Sequence, residues 1–239
     1  MTQIVFGKNV VRQLLNDNKN IHNLWILEGF KDKEILSLIY NRKISFKNCG
    51  RKKLDELANG GNHQGIVAEI DAYKYADIHQ LVDSIDKEYP LLVLLDGLED
   101  PHNLGAILRT CDAVGADGVI IGKHRSVSLN PTVAKVSTGA IDYVPVCQVT
   151  NLANTLRDLK KKGYWVIGSD MYQAQDYSTP DYKMPIVLVI GSEGYGMSDV
   201  VKKQCDMFVS LPMVGHVTSL NASVACAVLL YGIYTNRNK

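Results

Sequence analysis

Five short runs in this chain are apolar at nearly every position, without the alternation that a half-exposed strand shows. They are Leu91–Leu95, Val119–Ile121, Trp165–Ile167, Ile186–Ile190 and Phe208–Leu211. Strands of this kind are covered on both faces, and helical stretches separate these runs along the chain. The pattern predicts an α/β fold in which a parallel sheet has helices on each side.

The first part of the chain shows shorter, alternating helix and strand patterns. Strands are predicted at residues 24–27 and 66–70, and helices near residues 10–15, 34–40 and 54–58. Residues 72–75 form the predicted boundary, because an amphipathic helix with Ile78, Leu81, Val82 and Ile85 on one face follows. We therefore expect two domains, a small α/β domain over residues 1–73 and a larger one over residues 77–239.

The composition excludes several classes of protein. The hydrophobic fraction of 46% is sufficient for a core, and no apolar run approaches the length of a membrane span. The five cysteines are scattered and never form a Cys-x-x-Cys pair, so we expect a cytoplasmic protein with reduced thiols and no metal site. Residues 1–75 carry 12 Lys and Arg against 8 Asp and Glu, whereas residues 76–239 carry 14 against 17. The basic first part is compatible with a nucleic-acid partner or with a chance imbalance on a solvated surface.

The first polar segment at a predicted strand end runs from Asp96 to Arg109. Asp100 or Asn103 can cap the helix that follows. At 100° per residue, Arg109 lies opposite the apolar stripe of that helix. A solvated arginine and an arginine that meets a ligand both fit this position.

The second segment is Gly191–Gly196, which lacks the Gly-x-Gly-x-x-Gly spacing of a dinucleotide site. Its glycines allow the backbone to approach a ligand closely. Glu193 places a carboxylate where a phosphate would otherwise bind, which favours a nucleoside-like ligand. The alternative is a tight turn in which Ser198 caps the next helix.

The third segment, residues 211–221, connects an apolar strand to an apolar helix predicted over about residues 220–234. Thr218 or Ser219 can cap that helix, which would place Asn221 inside it as a buried amide that needs a partner. The three segments together predict a nucleoside-type ligand at the carboxyl ends of the sheet. In the first domain, His63 and Gln64 precede a strand, either in a hydrogen-bonded turn or in a binding role.

These segments closely resemble the three motifs of the SpoU class of RNA 2′-O-ribose methyltransferases. The matching stretches are residues 100–109, 189–197 and 211–221, with a further family segment at residues 137–140 and 144–145. The first domain, with residues 6–9 and 63–65, resembles the ribosomal-protein-like substrate-binding domain of the RlmB type, which modifies a guanosine of large-subunit ribosomal RNA. Departures from the family pattern are slight and lie at Gln13 and Cys111.

The resemblance implies S-adenosyl-methionine as cofactor, a deep trefoil knot in the second domain, ribosomal RNA as substrate and a homodimer formed through the knotted domain. It implies as catalytic residues Arg109, Asn103, Glu193, Ser219 and Asn221, and as cofactor-binding residues Thr138, Gly191, Glu193, Gly194, Leu211, Met213, Ser219 and Leu220. Because arginine is effectively always protonated, we expect Arg109 to stabilise negative charge rather than to act as a base. Transfer RNA as the target, or a non-catalytic protein that binds RNA during ribosome assembly, remain alternatives.

Overall fold

The computed structural model describes residues 2–171 and 174–238. The chain divides into two compact units. The first comprises the chain up to Lys74 together with Asn130–Lys135, and the second comprises Tyr75–Leu129 and the chain from Val136 onward. Within the described residues, no helix is both long and apolar enough to span a membrane.

The first unit is built on a four-stranded sheet. Its strands are β1 (Thr2–Phe6), β2 (Ile21–Leu27), β3 (Lys47–Cys49) and β4 (Ile66–Asp71), and they lie in the order β1-β4-β2-β3. Strand β4 is antiparallel to both of its neighbours, whereas β3 is parallel to β2. The predictions of β2 and β4 are confirmed; the sequence interpretation missed β1, and it missed the three-residue β3 because so short a strand has no visible period.

Three helices complete the first unit. They are α1 (Lys8–Asn16), α2 (Lys33–Asn41) and α3 (Arg51–Leu57). Helices α1 and α2 bury Leu14, Leu15 and Ile35 in the main core of the unit, while Leu54 of α3 packs with Val67 in a second cluster.

The second unit contains a sheet of seven strands in which every pair is parallel. Its order is β7-β6-β5-β10-β8-β11-β9. The strands are β5 (Leu91–Asp96), β6 (Gly118–Gly122), β7 (Val146–Val149), β8 (Trp165–Ser169), β9 (Gln175–Asp176), β10 (Ile186–Gly191) and β11 (Met207–Ser210). The predicted parallel sheet is confirmed, and the five apolar runs supply β5, β6, β8, β10 and β11. The sequence interpretation missed the short strands β7 and β9.

Helices precede, separate and follow these strands along the chain. They are α4 (Ile78–Ser84), α5 (Pro101–Val114), α6 (Pro131–Val136), α7 (Leu152–Lys161), α8 (Asp199–Lys202) and α9 (Ala222–Arg237). Most of α6 belongs to the segment Asn130–Lys135 of the first unit. Helices α5 and α9 pack against each other, and each has one buried cysteine and two buried leucines. Arg237, at the end of α9, donates hydrogen bonds to the carbonyl oxygens of Tyr89, Pro90, Tyr182 and Met184, so it ties the chain end to the starts of β5 and β10.

Candidate functional site

The two central strands β5 and β10 end at the same level of the sheet, since Gly191 lies beside Asp96 in the parallel register. Next to this edge is a cavity of about 410 Å³. Seven of the eight predicted cofactor-binding residues line it, namely Gly191, Glu193, Gly194, Leu211, Met213, Ser219 and Leu220. Ligand sites in open α/β sheets lie at this position, outside the carboxyl ends of the strands.

Thr138 is the predicted cofactor residue that does not line this cavity. It follows α6, is exposed, and has a backbone φ of 52°. The cavity therefore gives no support to a contact between Thr138 and a ligand.

The turn after β10 packs against Gly191, the last residue of that strand. The backbone N–H of Ser192 donates to the carbonyl oxygen of Gly196 at 3.0 Å, and the N–H of Gly196 donates back at 2.9 Å. This closed turn brings the chain against Gly191, where an added Cβ would lie 2.3 Å from the carbonyl carbon of Gly196. The wall of the cavity formed by this turn is thus backbone, and it can approach a ligand closely.

Asp96 holds the far end of this turn in place. Its carboxylate oxygen Oδ2 accepts hydrogen bonds from both the backbone N–H and the hydroxyl of Ser198, each at 2.7 Å. Ser198 does occupy the N-cap position of α8, but its side chain makes no capping hydrogen bond. The sequence interpretation did not assign a role to Asp96, although the first polar residue after an apolar strand was a usable signal.

A polar network joins three segments that are far apart in the sequence. Glu193 Oε1 accepts hydrogen bonds from Asn103 Nδ2 at 2.9 Å, from Asn221 Nδ2, and from the backbone N–H of Ala222 at 3.3 Å. Asn221 Nδ2 also donates to Asn103 Oδ1 at 3.0 Å. Glu193 and Asn221 therefore meet Asn103 in this network, and Gly191 and Ser219 line the cavity beside it. These four are predicted site residues of the second and third segments.

The helix caps differ in part from the expectation. Asp100 caps α5 by accepting from the N–H of His102, which leaves Asn103 buried at 5% exposure and available to the network. Asn221 is itself the N-cap of α9, where its Oδ1 accepts from the N–H groups of Ser223 and Val224.

The predicted caps at Thr218 and Ser219 are therefore wrong, and so is the predicted burial of Asn221, which is exposed. The reason is that the helix begins at Ala222, later than the apolar pattern indicated, and asparagine is among the best capping residues.

The loop at residues 211–220 leaves its backbone available to a ligand. Among the described residues, no backbone–backbone hydrogen bond begins or ends in this stretch. Backbone N–H and C=O groups need partners from water or from a ligand when the chain does not supply them. A cavity with unpaired backbone groups on one wall and a close-packed glycine turn on another fits the adenosine part of S-adenosyl-methionine.

A charged pair also contributes to the cavity. Lys202 Nζ lies 2.7 Å from Asp170 Oδ2, and both residues line the cavity. The hydrogen bond to Asp170 raises the pKa of Lys202, so the lysine stays cationic next to its carboxylate partner.

Arg109 is not brought into the cavity by this chain alone. It lies on α5 and is exposed, and within the part of the chain that the structure describes it has no hydrogen-bond or ion-pair partner. Arg109 follows Asn103 by six positions. At 100° per residue this places the two side chains roughly 120° apart around the helix. Its guanidinium is therefore free to meet a substrate or a second protein chain.

Comparison with known proteins agrees with this geometry. A family model described as the SpoU rRNA Methylase family matches residues 90–231, and one described as RNA 2′-O ribose methyltransferase substrate binding matches residues 4–76. The Bacillus subtilis protein YacO, assigned by name to the TrmH family of tRNA/rRNA methyltransferases, is 47% identical, covering 98% of this chain and 96% of its own. A Staphylococcus aureus (strain COL) protein with the same family name is 49% identical over 98% and 96% of the two chains.

A solved structure shares the fold. The SpoU methyltransferase AviRb of Streptomyces viridochromogenes, in complex with the cofactor AdoMet, superposes with a TM-score of 0.65. It is 22% identical and the match covers 99% of this chain and 91% of that one. On the strength of the two family models and the curated relatives, the chain belongs to the SpoU family of RNA 2′-O-ribose methyltransferases, whose methyl donor is S-adenosyl-methionine.

Proposed function

We propose that this protein transfers a methyl group from S-adenosyl-methionine to the ribose 2′-hydroxyl of a guanosine in large-subunit (23S) ribosomal RNA. The observation that carries the proposal is the network of Asn103, Glu193 and Asn221 at the edge of the cavity. It joins one residue from each of the three segments, as a site built for one reaction requires. A non-catalytic RNA-binding protein would have no need to keep all three polar side chains together.

The cofactor is assigned to the cavity at the ends of β10 and β11. The backbone near Gly191, Leu211 and Leu220 would bind the adenosine, and Gly194, Met213 and Ser219 would enclose the rest. When bound, S-adenosyl-methionine supplies an electrophilic methyl group. Glu193 bonds to the N–H of Ala222 and to two asparagine amides, so its role is to hold the cavity walls and the substrate in register. Alignment of reacting groups alone accelerates such transfers by several orders of magnitude.

Arg109 is proposed to act on the negative charge of the reaction. A ribose hydroxyl that is being methylated develops alkoxide character, and the phosphate next to it is already an anion. A guanidinium binds both well, since it presents several donors and remains charged. Because Arg109 does not line the cavity of its own chain, RNA or a second copy of the chain must complete the site.

A homodimer would cover the exposed face of α9. Val224, Val228 and Tyr231 follow one another at helix spacing and are 48%, 37% and 50% exposed. Val217, in the loop before the helix, is 63% exposed. A contiguous apolar surface of this kind is typical of a protein interface. This surface supports the homodimer that the family resemblance implies.

The remaining assignments follow from the same family. We propose that residues 1–73 form the RNA-binding domain and residues 77–239 a knotted catalytic domain, acting in the cytoplasm. The match of residues 4–76 to a substrate-binding model supports the first of these. Transfer RNA is the second candidate target, because the curated relatives carry both substrates in their names.

The test is to map ribose methylation on RNA from cells with and without the protein. Primer extension at low nucleotide concentration stops at 2′-O-methylated positions, and it should lose one stop in large-subunit ribosomal RNA when the protein is absent. Purified protein with labelled S-adenosyl-methionine should restore the mark on unmodified ribosomal RNA. Loss of a stop in transfer RNA instead would show that transfer RNA is the substrate. No change in either RNA would refute the proposed substrate.

A further inference from the structure

The first unit has a cavity of about 580 Å³ that none of the assignments above explains. Its lining comes from α1, the chain after β2, α3 and the loop before β4. The residues are Lys8, Leu27, Gly29, Phe30, Lys31, Arg51, Asp55 and 60–65. The volume is within the range of about 300–1,000 Å³ that is typical of pockets for small ligands.

The loop before β4 is rigidly built. His63 is buried at 6% exposure, and its Nδ1 accepts a hydrogen bond from the N–H of Gly65 at 3.0 Å. In the neutral ring the proton is then on Nε2, which lies 3.0 Å from Asp55 Oδ1 and donates to it. Gly65 has a φ of 85°, and a Cβ added there would lie 3.1 Å from the Phe30 ring. The contacts of His63 with Asp55 and of Gly65 with Phe30 thus fix the conformation of the loop.

Gln64 adopts a conformation that glutamine rarely takes. Its φ is 51°, in the left-handed region that favours glycine. Its Oε1 accepts a hydrogen bond from the backbone N–H of Lys8 at 2.9 Å. Within the described residues, its Nε2 group and the amide of the exposed Asn62 have no hydrogen-bond partner. Backbone strain that the surrounding structure maintains is common at binding sites. The side-chain amides of Gln64 and Asn62 both lie at the cavity.

The charged groups at the cavity are mostly positive. Lys31 and Arg51 are exposed, and neither has an ion-pair partner among the residues that the structure describes. Lys8 is already engaged, 3.2 Å from Asp32 and 5.3 Å from the centroid of the Phe30 ring. Asp55, the carboxylate of the lining, accepts from His63. Two cations therefore remain free for an anionic ligand.

We propose that this cavity binds one unpaired nucleotide of the RNA substrate, with its phosphate on Lys31 and Arg51 and its base edge on Asn62 and Gln64. Cations that neutralise phosphates give affinity, and amides that donate and accept hydrogen bonds read base edges. A concave pocket suits a splayed, unpaired base, because double-stranded RNA is bound by shape across its shallow groove. The inference rests on the proposed action on RNA and assigns the residues that select the unpaired region.

The test compares two double variants of the full chain that lose the same charge. One is Lys31→Ala with Arg51→Ala in the cavity. The control is Lys19→Ala with Lys43→Ala, two exposed lysines of the same unit that do not line the cavity. Fluorescence anisotropy measures binding of a labelled RNA stem–loop of mixed loop sequence and of a duplex with the same stem, over a salt series.

We expect the cavity variant to bind the stem–loop at least tenfold more weakly than wild type, and the control to stay within threefold. The slope of log affinity against log salt should fall by about 0.7, because the two cations together neutralise one phosphate of a single strand. The uncharged change Asn62→Ala should lower affinity without changing that slope. Equal losses in both double variants, equal binding of stem–loop and duplex by wild type, or no stem–loop binding by wild type would each overturn the inference.

Cofactor binding and methyl transfer separate this inference from the proposed function. Calorimetry with S-adenosyl-methionine should give wild-type affinity in the cavity variant, since the two cavities are built from different units. If wild type methylates RNA and the cavity variant does so at the same rate and affinity, only the nucleotide site is refuted. If wild type binds RNA through this cavity but transfers no methyl group, the proposed function fails and the nucleotide site stands.

Discussion

Asn221 performs two tasks with one amide, and substitutions can separate them. Its Oδ1 caps α9 through Ser223 and Val224, while its Nδ2 donates to Glu193 and Asn103. In Asn221→Ala both are lost. Loss of an N-cap costs about 1 kcal/mol. The lost hydrogen bonds of the network add about 1 kcal/mol more, since they are only partly shielded from water.

A loss of about 2 kcal/mol corresponds to a fall in Tm of roughly 4–8 °C for a chain of this size. Differential scanning fluorimetry measures this shift. The shift should lie toward the upper end of this range, because the change also removes the donor to Oδ1 of Asn103, which is buried.

Asn221→Ser is the matched variant. Serine caps helices about as well as asparagine, but its short side chain does not reach Glu193. We expect it to lose only the contribution of the network, a fall in Tm of roughly 2–4 °C, while its methyl-transfer rate falls at least tenfold. Full activity in Asn221→Ser, together with reduced activity in Asn221→Ala, would refute the reasoning, because activity would then follow the cap and not the network.

Three further predictions concern the turn after β10, the proposed role of Arg109 and the end of α9. Gly191→Ala should weaken S-adenosyl-methionine binding at least tenfold in calorimetry, because its Cβ would lie 2.4 Å from the backbone nitrogen of Met197. The control Gly215→Ala, whose Cβ would have nothing within 4 Å, should bind normally. Equal binding by the two variants would contradict the argument that the turn must pack closely against Gly191. Arg109→Ala should bind the cofactor normally, while its rate of methyl transfer falls at least a hundredfold. If a second chain completes the site, mixing this variant with Gly191→Ala subunits should restore part of the rate. A rate within tenfold of wild type would remove Arg109 from the mechanism. Arg237→Ala should cost about 3 kcal/mol, or roughly 6–12 °C in Tm, because four carbonyl oxygens lose a charged donor, and an unchanged Tm would show that water replaces those bonds.

The sequence by itself determined the class of fold. Strands buried on both faces must be apolar at every position, so the runs that form β5 and β10 are visible without any structure. The same is true of the cavity's main residues. Glycines and polar side chains collect where strands end, and this pattern predicted that the segments after β10 and β11 meet at one edge of the sheet, where Gly191 and Ser219 line one cavity.

Short strands and the ends of helices could not be predicted from the sequence. Strands β7 and β9 are too short for a period to show, and they exist because neighbouring strands offer hydrogen bonds. The start of α9 depended on which of several polar residues caps it, and local propensity does not rank Thr218, Ser219 and Asn221 decisively.

Only the tertiary structure decided which distant residues meet. Strand β10 lies between β5 and β8, so the turn that follows it reaches Asn103, 90 positions before Glu193 in the chain. The same packing brings Asp96 to Ser198 and leaves Arg109 outside the cavity. Strand order and helix packing are set by how buried surfaces fit together over the whole chain. A local pattern carries no record of that fit, which is why the residues of this site were predictable and their connections were not.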